Sequence, residues 1–391
     1  MPRLANYKEC TGCMACVDSC HQQALQCSLN EEGHIVPVFN ETKCVNCGQC
    51  EKTCPVVSKI KYSSSPLSKA YAAWAKDDEL RKRSATAGAF ASLAQRILYE
   101  GGYVCGAANV DGIHVKHICI DNIEDLHLLQ GSKYTQSDAT GIYLTTYKHL
   151  KAGDTVLFSG TGCQVAGLYG FLGKRKYEGV LYTVDLICGG VPSRLLIDKF
   201  IENEPFQTKR IISFRSKEQG WSPKGFKYNL KVEDSEGHVH DYTDKRNLIT
   251  TGFSCEMTNR YSCYQCQFAG VNRMSDFTIG DYWGVKDYPE QHYNGVSVII
   301  AHNDKAEKFL KTCNQYIETK RADVSDVLAH NKRLALTKDK RYLLPERKHL
   351  AFLFSRFSYM TLCKIYVFDF GSKSPWMLYK VFRVILSRII K

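Results

Sequence analysis

The chain has 391 residues, 44% of them hydrophobic, with 18 cysteines and a formal net charge of +12. This length allows two or three domains, and the lack of any run of 18 or more uncharged apolar residues excludes a helix that spans a membrane. The N-terminus carries no secretory signal, so the clustered cysteines indicate metal binding in a reducing, cytoplasmic compartment rather than a disulfide framework.

Residues 1–60 carry a duplicated cysteine motif with x2, x2, x3 spacing. Three thiolates on one short loop can bind three irons of a 4Fe–4S cluster, and in two-cluster ferredoxins the fourth cysteine of each motif binds the other cluster. A pair of zinc sites is the weaker interpretation, because zinc proteins usually pair two CxxC units across a longer gap. We therefore predict one cluster on Cys10, Cys13, Cys16 and Cys54 and a second on Cys44, Cys47, Cys50 and Cys20.

After a Ser/Pro-rich linker at residues 61–69, the pattern becomes mixed α/β over residues 70–330. The predicted fold is therefore a multidomain α+β or α/β arrangement, with a small ferredoxin-like two-cluster module followed by a mixed α/β domain. Apolar runs predict strands at 71–75, 103–110, 115–120, 155–158, 181–187, 211–214, 226–232, 238–242, 277–279 and 296–301. Helical periodicity predicts helices at 88–99, 124–129, 164–172, 193–202 and 306–315.

Four further cysteines have suggestive positions in this second domain. Cys163 and Cys188 each follow a predicted strand, and Cys263 and Cys266 form a CxxC pair. Loops after neighbouring strands of an α/β sheet meet at its carboxyl edge, so the four thiols could bind a third 4Fe–4S cluster. Two alternatives remain open: a reactive thiolate at Cys163, activated by a helix N-terminus, and a redox dithiol or half of a zinc site at the CxxC pair.

Seven segments occur in order over about residues 71–301: SATAGAF, LLQGSKYTQS, VLFSGTGCQVAGL, VDLICGGVPS, SFRSKEQGW, SCYQCQFAG and SDFTIGDYWG. Together they resemble the coenzyme F420 hydrogenase/dehydrogenase beta-subunit family. Four positions depart from the family pattern: Thr86-Ala87 stands where Ser-Gly is common, Gly162 replaces a proline, and Gly189 replaces a histidine.

The resemblance implies FAD beside the third cluster, and hence a flavin- and iron–sulfur-dependent oxidoreductase. The flavin would exchange electrons with the clusters and with a substrate that the sequence does not name. A non-catalytic electron-transfer subunit that serves a partner enzyme is the alternative, and the redox partner or donor would be a protein such as ferredoxin. The predicted cofactor contacts are Ser84, Thr86, Gly88, Lys133, Tyr134, Gln136, Gly160, Thr161, Asp281 and Tyr282.

Residues 331–391 form a basic C-terminal tail. They contain 14 Lys and Arg against 3 Asp and Glu, so nearly all of the net charge lies there. The segment Trp376–Lys391 has the pattern of a basic amphipathic helix, which favours contact with an acidic partner or with anionic lipid at the inner face of a membrane. Packing on the protein's own body is the alternative, and no nucleic-acid motif accompanies the tail.

Overall fold

The computed structural model describes residues 2–60, 69–215, 218, 220–225, 228–242, 247–254, 256–335 and 350–366. Most of the predicted linker, Cys255 and the predicted helix at Trp376–Lys391 lie outside these residues. Within the described ranges, no helix is both long and apolar enough to cross a membrane.

The N-terminal module consists of two short helices around one hairpin. Leu25 pairs with Phe39 at one end of the antiparallel hairpin and Leu29 with Ile35 at the other. Each helix begins inside a cysteine motif, one residue before the third cysteine of that motif. The elements are α1 (Ala15–Asp18), β1 (Leu25–Leu29), β2 (Ile35–Phe39) and α2 (Gln49–Thr53).

An eight-stranded mixed sheet forms the centre of the second domain. Its order is β13-β3-β12-β11-β7-β6-β4-β5, and the four strands β11, β7, β6 and β4 are mutually parallel. Antiparallel strands flank this parallel centre on both sides. The strands are β3 (Lys69–Ala75), β4 (Tyr103–Asn109), β5 (Val115–Ile120), β6 (Thr155–Gly160), β7 (Val180–Leu186), β11 (Phe277–Asp281), β12 (Ser297–Ala301) and β13 (Ile317–Ala322).

Helices cover both faces of this sheet and bury its apolar side chains. The core on one face includes Leu93, Ile97 and Phe309. The core on the other face includes Tyr143, Val165 and Phe171, together with Cys13 of the N-terminal module. The helices are α3 (Asp78–Arg83), α4 (Ala89–Tyr99), α5 (Leu126–Leu129), α6 (Ile142–Lys151), α7 (Gly162–Leu172) and α10 (Asp304–Thr312).

A three-stranded antiparallel sheet, in the order β10-β9-β8, packs with a separate helical group. Phe200, Phe214, Leu230 and Phe354 are buried together between these elements. The elements are α8 (Leu195–Asn203), β8 (Thr208–Arg215), β9 (Tyr228–Asp234), β10 (Val239–Asp241), α9 (Leu248–Ser254), α13 (Leu350–Arg356) and α14 (Tyr359–Tyr366). Two further helices, α11 (Val324–His330) and α12 (Lys332–Ala335), pack instead with the large sheet, where Val327 and Leu334 are buried.

The predicted mixed α/β class is confirmed, and every strand and helix predicted between residues 71 and 315 is present with shifted ends. The elements that the sequence patterns missed include the hairpin of the module, the helices α3, α6 and α9 and the edge strand β13. Helix α6 is rich in β-branched and aromatic side chains, which weaken the helical signal. Strand β13 reads IETKRA, and such charged sequences are typical of sheet edges.

Candidate redox site

The two cysteine motifs of the module fold into loops with the same backbone conformation. The residues two and four positions after the first cysteine have positive φ in both loops: 67° at Gly12, 63° at Met14, 54° at Asn46 and 69° at Gly48. A left-handed conformation is costly for methionine and recurs here at matching positions. The duplication of the sequence is therefore also a duplication of the local structure.

The thiols of the first predicted cluster lie close to one another, with Cys13 and Cys16 buried and Cys10 and Cys54 half-buried. Burial raises the pKa of the Cys16 thiol, and the charges of Cys13, Cys10 and Cys54 raise it further. Cys54 follows the second motif in sequence, so the chain crosses between the two loops in the way that a two-cluster ferredoxin requires.

The thiols of the second predicted cluster lie nearer the surface. Burial raises the pKa of the Cys50 thiol, with contributions from the charges of Cys20 and Cys47. Cys47 is exposed and Cys44 is half-buried. This end of the module is therefore accessible from solvent, whereas the first group of thiols faces the second domain.

The four cysteines of the second domain converge at the carboxyl edge of the large sheet. Cys163 lies in the first turn of α7, just after β6, and Cys188 follows the parallel neighbour β7. Burial raises the pKa of the Cys163 thiol to about 12, and the charges of Cys266 and Cys188 contribute to this rise. Burial also raises the pKa of the Cys263 thiol, and the charges of Cys188, Cys266 and Cys163 raise it further. Four half-buried thiols from three segments thus lie within electrostatic reach of one another.

The described residues include no group of three His, Cys, Asp or Glu side chains close enough to hold a single metal ion. In a 4Fe–4S cluster each thiolate binds a different iron. The spacing that a cluster needs is therefore wider than the spacing around one zinc ion, whose four ligands lie at about 2.3 Å from a common centre.

A cavity of about 560 Å³ opens beside these thiols, at the same edge of the sheet. Thr11 and Gly12 of the first cysteine loop, Cys163 and Cys188 form part of its wall. Pockets for cofactors commonly measure about 300–1,000 Å³ and lie at this edge of α/β sheets. The cavity therefore adjoins both the N-terminal module and the four thiols of the second domain.

Nine of the ten residues predicted as cofactor contacts line this cavity; Tyr282 does not. Successive side chains of an extended segment point to opposite sides, and Tyr282, next to Asp281, packs with Val285 and donates a hydrogen bond to Asp326. The nine lining residues are Ser84, Thr86, Gly88, Lys133, Tyr134, Gln136, Gly160, Thr161 and Asp281. Their role as cofactor contacts stays a prediction.

The Asp281 carboxylate anchors one wall of the cavity. It accepts two hydrogen bonds from the Arg215 guanidinium, at 2.6 and 2.9 Å, one from Thr86 Oγ1 at 2.8 Å and one from Trp221 Nε1 at 2.8 Å. Arg215 is 3% exposed in its side chain. With four donors around it, Asp281 holds the loop before α4 against β8 and has little capacity left for a ligand.

Two ionisable groups in the cavity have pKa values shifted by burial. Burial lowers the pKa of Lys133 to about 8, and its Nζ donates to the Gln130 carbonyl at 2.7 Å. Burial lowers the pKa of His117 to about 4, and its ring nitrogens contact Ser137 Oγ and the Ser159 carbonyl. At neutral pH the cavity therefore contains a lysine that is still mostly protonated and a neutral histidine.

The module is held on the second domain by buried polar contacts that sequence reasoning missed. Arg260 is 2% exposed and donates to the carbonyls of Cys10 and Ile35 and to Gln136 Oε1. Tyr143 Oη donates to the Cys13 carbonyl at 2.6 Å. These partners lie more than one hundred residues apart, and no local pattern could have paired them.

Two glycines of α7 allow the module to approach this helix closely. A Cβ at Gly167 would lie 3.1 Å from Cys13 Sγ, and a Cβ at Gly170 would lie 2.1 Å from the Thr53 carbonyl oxygen. The charge of Cys163, at the start of the same helix, contributes to the raised pKa of Cys13. The two groups of thiols therefore face each other across one turn of α7.

Two parts of the chain match known families. Residues 9–57 match the 4Fe-4S dicluster domain, and residues 153–325 match the family described as the C terminus of the beta subunit of coenzyme F420 hydrogenase/dehydrogenase. No curated protein matches the chain. A solved chain of the F420-reducing NiFe hydrogenase complex from Methanosarcina barkeri is similar at 19% identity and a TM-score of 0.44, over 81% of this chain and 100% of that one. The chain thus carries a segment that matches a 4Fe-4S dicluster domain, followed by a segment that matches the C terminus of the beta subunit of coenzyme F420 hydrogenase/dehydrogenase.

Proposed function

We propose that the chain is a flavin-dependent iron–sulfur oxidoreductase with three 4Fe–4S clusters and one FAD. The observation that carries this proposal is the convergence of Cys163, Cys188, Cys263 and Cys266 between the module and the cavity. As thiolates these four groups would repel one another in a buried site, and a bound cluster would remove that penalty because thiolate is the ligand that such clusters take.

The positions of the thiols support one order of electron transfer. Electrons would enter at Cys44, Cys47, Cys50 and Cys20, where Cys47 is exposed, and pass to Cys10, Cys13, Cys16 and Cys54. The third cluster would follow, because α7 carries Cys163 and contacts Cys13 through Gly167. A soluble donor such as ferredoxin would dock near the exposed loop of the second motif.

The cavity residues fit a flavin nucleotide. The loop Ser84–Gly88 precedes α4, whose N-terminal amide groups favour an anion such as a phosphate. Lys133 supplies a positive charge, and the apolar side chains of Phe90 and Leu129 line another part of the wall. A Cβ at Gly88 would lie 2.9 Å from Ala75 Cβ, and its φ is +84°, so this turn of the wall requires glycine.

When bound, FAD supplies the exchange between single electrons and electron pairs that joins clusters to hydride chemistry. The chain's own residues would orient it and compensate its charge. Lys133 would stabilise negative charge on the bound ring or on its phosphates, and Asp281 would keep Thr86 and Arg215 in position. His117 donates or accepts at both ring nitrogens within the wall, so it would position Ser137 rather than transfer a proton.

Rapid reduction of the anaerobic protein by reduced ferredoxin tests this function. In the wild type, flavin bleaching should follow cluster bleaching. Cys188→Ser should keep the two clusters of the module and slow flavin reduction at least about tenfold, whereas Cys313→Ser, a buried thiol far from the cavity wall, should not. Flavin reduction at the wild-type rate in Cys188→Ser would contradict the proposed route.

A further inference from the structure

One wall of the cavity comes from a turn beyond the part of the chain that matches the family. The 330–333 turn consists of the last residue of α11, Asn331 between the helices, and the first two residues of α12; His330, Asn331 and Arg333 all line the cavity. The family match ends at residue 325. The 330–333 turn therefore contributes to the wall from outside both matched segments, as the lining residues between positions 84 and 137 also do.

Asn331 presents a buried donor with no partner among the described residues. The side chain is 2% exposed, and its Nδ2 makes no hydrogen bond there. Leaving a buried N–H unsatisfied costs about 1–3 kcal/mol. A ligand that brings an acceptor atom to this point of the wall would remove that cost.

Arg333 lies over the backbone next to Cys188. Its Nη1 donates to the Gly189 carbonyl, and its Nη2 pairs with Glu256 Oε1 at 2.6 Å. A Cβ at position 189 would lie only 3.0 Å from Arg333 Cζ, so the glycine makes room for the guanidinium. Glu256 is not part of the cavity wall, so the guanidinium is held from outside the cavity and contributes to its lining.

The charged groups on the described part of the wall are mostly positive. Lys133, Arg215 and Arg333 line the cavity, and Asp281 is the one carboxylate among the described lining residues. Its oxygens already accept hydrogen bonds from Arg215, Thr86 and Trp221. Arg215 is paired with Asp281 and Arg333 with Glu256, so Lys133 supplies the remaining positive charge among the described lining residues. This charge favours a ligand that carries negative charge and acceptor atoms.

We propose that the 330–333 turn binds the carboxylate of the substrate, so that the substrate class is a small organic acid. Arg333 gives one N–H to the Gly189 carbonyl and one to Glu256, which leaves three of the five N–H groups of the guanidinium for another acceptor. A carboxylate is a good partner for these groups, and the Asn331 amide adds a further donor. This inference rests on the proposed function for placing the substrate in this cavity. Binding beside Cys188 would hold the acid near the redox groups.

Calorimetric titration of the cluster- and flavin-loaded protein, under anaerobic conditions, tests the inference. The probes are oxalate and succinate, with the neutral succinamide as a matched control. Arg333→Gln should raise the Kd for the dianions at least about tenfold, and Asn331→Ala about threefold to tenfold. Arg333→Lys keeps the charge and should give an intermediate loss, and Arg321→Gln, an exposed arginine outside the cavity wall, should change nothing.

The outcomes separate this inference from the proposed function. Equal binding of succinate and succinamide, unchanged affinity in Arg333→Gln, or no carboxylate binding by a protein that holds its flavin would each overturn the inference alone. A fall in FAD affinity in Arg333→Gln and Asn331→Ala, with succinate affinity unchanged, would also overturn it by assigning the turn to the flavin. A protein that takes up no flavin would instead refute the proposed function.

Discussion

The close approach of the N-terminal module to α7 makes Gly170→Ala a specific perturbation of cluster spacing. The added Cβ would lie 2.1 Å from the Thr53 carbonyl oxygen and 2.7 Å from Ile60 Cδ1. Carbon and carbonyl oxygen approach to about 3.3 Å without strain, so the module must move by about 1 Å. Overpacking of this kind costs about 1–3 kcal/mol, more than the roughly 1 kcal/mol that alanine gains over glycine in a helix.

Two measurements report on this displacement of the N-terminal module from α7. Denaturant unfolding should show a net loss of stability, and electron paramagnetic resonance of the reduced protein should show a weaker magnetic interaction between the module and the third cluster. Leu157→Ala is the matched control, since it removes side chain from the core of the sheet, costs about 2–5 kcal/mol and leaves the module seat untouched. Equal spectra in wild type and Gly170→Ala, or the same spectral change in Leu157→Ala, would refute the reasoning.

Three further predictions concern the wall, the core and the thiols. Asp281→Ala should lower stability by about 3–5 kcal/mol and weaken FAD retention, because it leaves the buried Arg215 guanidinium without its carboxylate. Denaturant titration measures the loss of stability, and flavin fluorescence measures the retention of FAD. Burial lowers the pKa of His302 to about 4 from 6.5. Below pH 6.5 the unfolded chain therefore binds a proton at this histidine that the folded protein does not, and the free energy of unfolding should fall by about 3 kcal/mol between pH 6.5 and pH 4. His302→Gln should therefore make the stability profile less steep over that window, in which His117 still titrates. Cys263→Ser should lose about four irons per chain, and Cys313→Ser none.

Each of these predictions has an outcome that contradicts it. An exposed carboxylate, Asp304, serves as the control for Asp281: if Asp304→Ala has the same effect, the anchoring role of Asp281 is wrong. An unchanged slope of stability against pH in His302→Gln would show that His302 is not the group that titrates. Full iron content in Cys263→Ser would remove this thiol from the third cluster.

The sequence was most informative where chemistry is local. The spacing of the cysteines predicted a two-cluster module, and residues 9–57 match that domain. Strands such as β6 were predictable because a buried parallel strand is a continuous apolar run. The convergence of Cys163 and Cys188 also followed from the sequence, since both come after parallel strands of one sheet.

The contacts between the two domains could not be predicted in the same way. Arg260 joins Cys10 to Gln136, and Gly170 fits against Thr53, but each pairing depends on how distant segments pack. The four-donor environment of Asp281 is a similar case, because its partners come from three separate elements. The 330–333 turn was missed because it carries no motif and because Asn331 and Arg333 fall at the start of the segment predicted as a basic tail.

Anaerobic purification followed by iron, sulfide and flavin quantification tests the central claim most directly. Three clusters and one flavin predict about twelve irons, about twelve sulfides and one FAD per chain. About eight irons without flavin would leave the dicluster module intact and contradict the proposal that the second domain carries a third cluster beside a flavin.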